Sequence, residues 1–136
     1  MRTLFMVVKQ DLGNTGFLVG DKTSYNFHSG ASSAWSQTWT DPALLNGLLY
    51  SNGNLLDGIQ QNHAYENPVL IALQSTGTVS ASNFSRDRNN SVNWKGDLAE
   101  LIIYNEALPL SAMRQVEGYL AHKWEISDSL VGDHPY

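Results

Sequence analysis

Two carboxylates stand close together in the last third of the sequence, and a carboxylate pair is what most glycosidic cleavage requires. Asp97 and Glu100 are three positions apart. Acids that act on one sugar must emerge on the same face, whereas a straight strand places residues three apart on opposite faces. The spacing therefore predicts that Asp97 ends a turn and that Glu100 accepts backbone N–H groups of a neighbouring loop. We expect a protein that is not an enzyme.

A second set of side chains carries the hard oxygen ligands that calcium prefers. These residues fall in polar, turn-rich segments and are Asp21, Asp87, Asn89 and Asn90. They lack D-x-D-x-D spacing, and Asp and Asn are also ordinary residues of solvated turns. A calcium site and a solvated loop both stay open as interpretations, and no other cofactor is expected.

Aromatic rings could stack on sugar rings and so form a glycan site. The candidates are Tyr25, Trp35, Trp39, Tyr50, Tyr65 and Trp94. If residues 24–28 and 34–40 are extended, Tyr25 shares a face with Phe27 and Trp35 shares one with Trp39, which is typical of a sandwich core. Rings in or beside polar loops are expected to be exposed instead. The predicted ligand-binding residues are therefore Tyr65, Arg86, Asp87 and Trp94.

The remaining reactive side chains form no pattern typical of catalysis. Cysteine is absent, which excludes disulfides, thiolate nucleophiles and Cys-ligated zinc. Four histidines are scattered without metal-ligand spacing, and neither a G-x-S-x-G motif nor a Ser-His-Asp set occurs. His122 is expected near a helix C-terminus, where positive charge suits the helix dipole. The sequence therefore points to binding rather than chemistry.

Charge and length exclude several classes of protein. The net charge is −5 and no basic run occurs, so neither nucleic acid nor an anionic membrane surface is an expected partner. The apolar run at residues 4–8 is too short for a signal-peptide core or a membrane span. The 136 residues predict one domain, 1–136, with a sizeable core.

Short strands separated by turns dominate the pattern. Strands are predicted at residues 3–8, 17–19, 24–28, 68–74 and 79–84. Asn52-Gly53, flanked by apolar arms, predicts a type I′ hairpin. The apolar run at residues 98–104 predicts a central strand buried on both faces. A helix is predicted at about 111–124, capped by Ser111, with Leu120 and Trp124 buried against the sheet.

The C-terminal run W-K-G-D-L-A-E-L-I-I-Y-N-E-A-L, followed by a helix carrying V-E-G-Y-L-A-H-K-W and the tail D-H-P-Y, resembles a known family. It is similar to the laminin-G-like branch of the concanavalin A-like lectin/glucanase fold, as found in bacterial and phage surface proteins. The resemblance implies an all-β jelly-roll sandwich with one C-terminal helix packed on an edge or rim. It also implies an N-terminally shortened sandwich, since such modules carry further strands before the position of Met1.

The resemblance leads to two functional hypotheses. The first is a non-catalytic binding or adhesion module that recognises a glycan or a surface protein. The second is a structural subunit or decoration protein of a virion, tail fibre or surface filament, because a shortened sandwich exposes a sheet edge that can pair with another chain or a second copy. Both place the protein outside the cell, on the cell surface or on a virion.

Overall fold

The computed structural model describes residues 1–11, 16–61, 67–88 and 93–136. Two antiparallel sheets and one long helix make up the regular structure of this part of the chain. The strands are β1 (Thr3–Gln10), β2 (Val19–Gly20), β3 (Leu48–Ser51), β4 (Asn54–Leu56), β5 (Val69–Gln74), β6 (Asn83–Phe84) and β7 (Gly96–Tyr104). The helices are α1 (Pro42–Leu45) and α2 (Leu110–Lys123), followed by a 3₁₀ turn at Ser127–Ser129. This content is compatible with a β-sandwich.

The main sheet has the order β4-β3-β5-β1-β7, and β2 pairs with β6 in a second, small sheet. β1 and β5 are almost entirely buried because they are continuous apolar runs covered on both sides. One side, here called the helix side, carries Phe5, Val7, Leu70 and Ala72 and packs against Met113, Leu120 and Ala121 of α2. The opposite loop side carries Leu4, Met6, Val8, Ile71 and Leu73 and packs against Phe27, Trp35, Leu44 and Val79.

The position of α2 corrects one expectation. Its buried residues contact the middle of the sheet, on β1 and β5, and not an edge or rim. Leu120 is fully buried, as predicted. Trp124 is 38% exposed, so the prediction that it is buried is wrong. The helix also begins at Leu110 after Pro109, without a side-chain cap from Ser111.

β7 is an edge strand, which contradicts the predicted central position of residues 98–104. Among the described residues β7 pairs only with β1, and most of its side chains are exposed or half-buried. Its partner β1 has neighbours on both sides and is the strand buried on both faces. The register of β7 also shifts: Glu100 lies opposite Val7, whereas Leu98 lies opposite Val8. Ala99 is therefore the extra residue of a β-bulge.

The β3–β4 hairpin confirms the Asn-Gly prediction. Asn52 has a φ of 49° and Gly53 a φ of 80°, the positive pair that a type I′ turn requires. The turn is tied to distant parts of the chain. Nη1 of Arg114 donates to the Gly53 carbonyl at 2.9 Å, and the backbone N–H of Val131 donates to the Asn52 carbonyl at 2.9 Å.

The strand predicted at residues 24–28 is absent, and residues 34–40 are not extended. Residues 21–41 are irregular and are held by turn hydrogen bonds instead. The alternation of Tyr25 with Phe27 arises here because Phe27 anchors the loop in the core while Tyr25 stays half-buried. Of the strand predicted at residues 79–84, only Asn83–Phe84 forms a strand in the structure.

Candidate functional site

The strongest candidate site is a group of rings and charges on the irregular segment, here called the Tyr25 cluster (Tyr25, His28, Trp39 and Arg88). The ring centroid of Tyr25 lies 5.6 Å from that of Trp39 and 5.4 Å from that of His28. The guanidinium carbon of Arg88 lies 4.8 Å from the Tyr25 centroid, a cation–π contact. Trp39 is 57% exposed. Much of the Trp39 side chain thus meets solvent, next to a tyrosine ring that carries a cation.

The loop that carries these rings is fixed by backbone hydrogen bonds and by two side chains buried in the core. The backbone N–H of Ser36 donates to the His28 carbonyl at 2.8 Å, and that of Asp41 donates to the Asn26 carbonyl at 3.0 Å. Phe27 and Trp35 are each 1% exposed and anchor the two arms of the loop in the core. Because the rest of the fold fixes this loop, its aromatic side chains lose little conformational entropy when a ligand binds.

Two buried polar atoms beside the Tyr25 cluster have no hydrogen-bond partner in the described part of the chain. They are Nδ1 of His28 and Oδ2 of Asp87. Oδ1 of Asp87, by contrast, accepts the Asp21 N–H at 2.9 Å. Burial raises the pKa of Asp87, and the backbone N–H groups of Asp21 and Arg88 oppose this only in part. Buried polar atoms are normally paired, so these two are exceptions, and both are closed to solvent.

The described members of the predicted ligand-binding set differ in their exposure. Trp94 is only 7% exposed, and its Nε1 donates to Oε1 of Gln10 at 3.1 Å. The expectation that its ring is exposed is therefore wrong. Arg86 is exposed and its backbone bridges to Asn93, and Asp87 is buried beside Asp21. Tyr65 lies outside the described residues. Glycan binding by this set stays a prediction.

The calcium interpretation also stays a prediction. Asp21 accepts from the backbone N–H and the hydroxyl of Thr23, which lower its pKa and are typical of a self-contained turn. Asn89 and Asn90 lie outside the described residues. Among the described residues no group of three or more His, Asp or Glu side chains is arranged to hold a metal ion.

Asp97 and Glu100 are placed differently from the prediction. Because of the bulge, they lie opposite Lys9 and Val7, which are two apart on β1, so both carboxylates belong to the same side of the sheet. Glu100 accepts from side chains, not from loop backbone: Nζ of Lys123 and Nε1 of Trp124 each lie 2.8 Å from its Oε2. Hydrogen bonding to Lys123 and Trp124 lowers the pKa of Glu100. A general acid needs the opposite shift.

Sequence reasoning missed part of the Tyr25 cluster. The sequence indicates that Tyr25 and Trp39 could stack on a sugar, but it favours placing them on strand faces. It does not predict that Arg88 or His28 lies near them. One feature of the sequence does indicate that the Trp39 ring is exposed: Trp39 stands between Thr38 and Thr40 in a polar segment. The Arg88 contact joins positions far apart in sequence, and no local pattern indicates it.

A second exposed feature lies at the β7 edge. Ile103 and Phe84 are 47% and 62% exposed, and they line a cavity of about 190 Å³ together with Val19, Ala81, Ser82 and Asn83. The cavity is lined mainly by apolar groups and lies between β7 and the small sheet. We call Leu98, Leu101, Ile103 and Phe84 the edge patch.

Comparison with known proteins gives no assignment: no protein-family model, curated protein or solved structure matches this chain. In the part of the chain that the structure describes, every helix is too short or too polar to cross a membrane.

Proposed function

We propose that the chain is a non-catalytic binding module of an extracellular or surface assembly, with a laminin-G-like jelly-roll fold, and that it recognises a glycan through the Tyr25 cluster. The observation that carries the proposal is the exposed indole of Trp39 beside Tyr25 and Arg88. Indole faces stack on the apolar face of a sugar, and charged side chains at the rim bind its hydroxyl or carboxylate groups.

An exposed polar group beside the rings extends this proposal from stacking to recognition. The guanidinium of Arg88 is exposed and offers several N–H donors to the hydroxyl or carboxylate oxygens of a sugar. Such contacts orient a sugar, while stacking on Trp39 supplies contact area.

A glycan array of neutral and acidic oligosaccharides tests the proposal, followed by calorimetry on the best hit. Trp39→Ala is expected to weaken binding by about tenfold or more, since a central aromatic contact is lost. Trp124→Ala removes a partly exposed tryptophan elsewhere and is the matched control. A blank array, or binding that Trp39→Ala leaves unchanged, contradicts the proposal.

The second candidate is a structural subunit of a virion, tail fibre or surface filament. The edge patch and the unpaired outer edge of β7 favour it, because exposed apolar edges are places where chains assemble. This role does not exclude glycan binding, since the Tyr25 cluster and β7 are separate features.

A further inference from the structure

The outer edge of β7 is unusually open. The strand is nine residues long, and among the described residues it pairs on one side only. Its outward N–H and C=O groups therefore form a ladder without a partner strand. Natural edge strands are normally short, charged, bulged or covered. β7 carries two charges, on Asp97 and Glu100, and a bulge at Ala99, whereas its last four residues, 101–104, are uncharged and regular.

The apolar groups of this edge continue the core of the loop side. Ile103 lies opposite Leu4 and Leu98 lies opposite Val8, and both partners are buried in that core. Leu98 and Ile103 themselves are 44% and 47% exposed. Exposed apolar surface is unfavourable relative to buried apolar surface. An added strand would thus extend both the hydrogen-bond ladder and the core.

The bulge limits where a strand can be added. Ala99 breaks the alternation, so side chains N-terminal to it fall out of phase with those that follow. The regular part of the edge is residues 100–104, E-L-I-I-Y. Glu100, Ile102 and Tyr104 belong to one face of this segment and Leu101 and Ile103 to the other, and a partner strand must match both faces.

This segment is its own complement in the antiparallel direction. When two copies pair about Ile102, Leu101 lies opposite Ile103 of the second copy, and Glu100 lies opposite Tyr104. Opposed residues then share a face, as antiparallel pairing requires. Pairing about Leu101 would draw in the bulged Ala99, and pairing about Glu100 would oppose two carboxylates, which is unfavourable. The register about Ile102 uses all five regular residues and opposes no like charges.

We propose that β7 pairs antiparallel with β7 of a second copy, about a twofold axis at Ile102. The product is a continuous ten-stranded sheet across two copies, twice the five strands of one copy. The inference does not rest on glycan binding, and a Trp39→Ala variant is expected to dimerise normally.

Sedimentation velocity over a range of micromolar concentrations tests the dimer. Ile103→Lys is expected to weaken it by about tenfold or more, because a lysine ammonium would have to be buried at the interface. Leu55→Lys is the matched control, since Leu55 is an exposed leucine on β4 at the opposite edge of the same sheet. A monomer at all concentrations, or a dimer that Ile103→Lys leaves intact, overturns the proposal.

Cross-linking tests the register. The chain has no cysteine, so a single Ile102→Cys substitution introduces the only thiol. The twofold axis places the two thiols directly opposite each other, at a separation that a disulfide can span. Mild oxidation is expected to give a covalent dimer with Ile102→Cys and not with Leu55→Cys. Equal yields from both variants would contradict the register.

Discussion

Oε2 of Glu117 lies 2.8 Å from Nη1 of Arg114 and 3.2 Å from Nε2 of His134, and the Glu117 side chain is 1% exposed. Arg114 also stacks over Tyr50 and donates to the Gly53 carbonyl. One buried carboxylate thus joins α2, the β3–β4 hairpin and the C-terminal tail. It gives a physical role to two residues of the C-terminal pattern, the Glu of V-E-G-Y-L and the His of D-H-P-Y.

Glu117→Gln is expected to destabilise the fold by about 3 kcal/mol or more, because breaking a buried ion pair leaves the guanidinium uncompensated. Chemical denaturation followed by tryptophan fluorescence measures the change. Glu106→Gln removes an exposed carboxylate and is expected to stay within about 0.5 kcal/mol of wild type. Equal effects of the two substitutions would show that the network contributes nothing.

Leu120→Ala is expected to cost about 2–5 kcal/mol, since Leu120 is fully buried between α2 and the sheet. Leu110 lies in the same helix and is exposed, so Leu110→Ala makes the same chemical change without a cavity. The difference between the unfolding free energies of Leu110→Ala and Leu120→Ala measures how much the packing of Leu120 in the core stabilises the fold. A small loss in Leu120→Ala would mean that α2 does not cover the sheet.

Asp87→Asn is expected to stabilise the ligand-free protein at neutral pH. Burial raises the pKa of Asp87 in the folded state above its ordinary value of 3.8, so folding becomes less favourable as pH rises from that value through the raised one. Asn keeps an oxygen for the Asp21 N–H and carries no charge. The unfolding free energy of the variant minus that of wild type should therefore increase as pH rises across this window and then level off. Parallel pH profiles of the two proteins would refute this.

Glu100→Gln is expected to act in the opposite direction. Hydrogen bonds from Lys123 and Trp124 lower the pKa of Glu100 in the folded state below its ordinary value of 4.5. The stabilisation is therefore present above that ordinary value and is lost as pH falls through the lowered one. The variant should be slightly less stable at neutral pH and equal to wild type in strong acid. No turnover is expected to change; release of reducing sugar by wild type, abolished in the variant, would establish catalysis instead.

The parts of the fold that sequence predicted correctly are those fixed by local chemistry. The Asn52-Gly53 turn demands positive φ at both positions, and residues 3–8 and 68–74 are apolar runs that become β1 and β5. The position of β7 could not be predicted in this way, because an apolar run looks the same in a central strand and in an edge strand. Only the pairing partners distinguish the two.

The tryptophans show the same limit at the level of the candidate site. Trp94 flanks a polar loop, yet its ring is buried because Gln10 supplies an acceptor for its Nε1. Trp124 continues an apolar helical stripe, yet it is partly exposed because its Nε1 reaches Glu100 at the sheet edge. In both cases a side chain distant in sequence decides the exposure of the ring, so position along the chain was a poor guide to which aromatic faces meet solvent.

The hairpin tip has a consequence for the order of folding. Its carbonyls are bound by Arg114 and by the N–H of Val131, and β1 receives its outer neighbour only when residues 96–104 are in place. A nascent chain emerging from the ribosome therefore cannot pair the outer side of β1 or anchor the hairpin tip until residues 96–131 have been synthesised. Contacts of such long sequence separation make folding slow and cooperative, and the unfinished chain must be kept from aggregating until the last helix arrives.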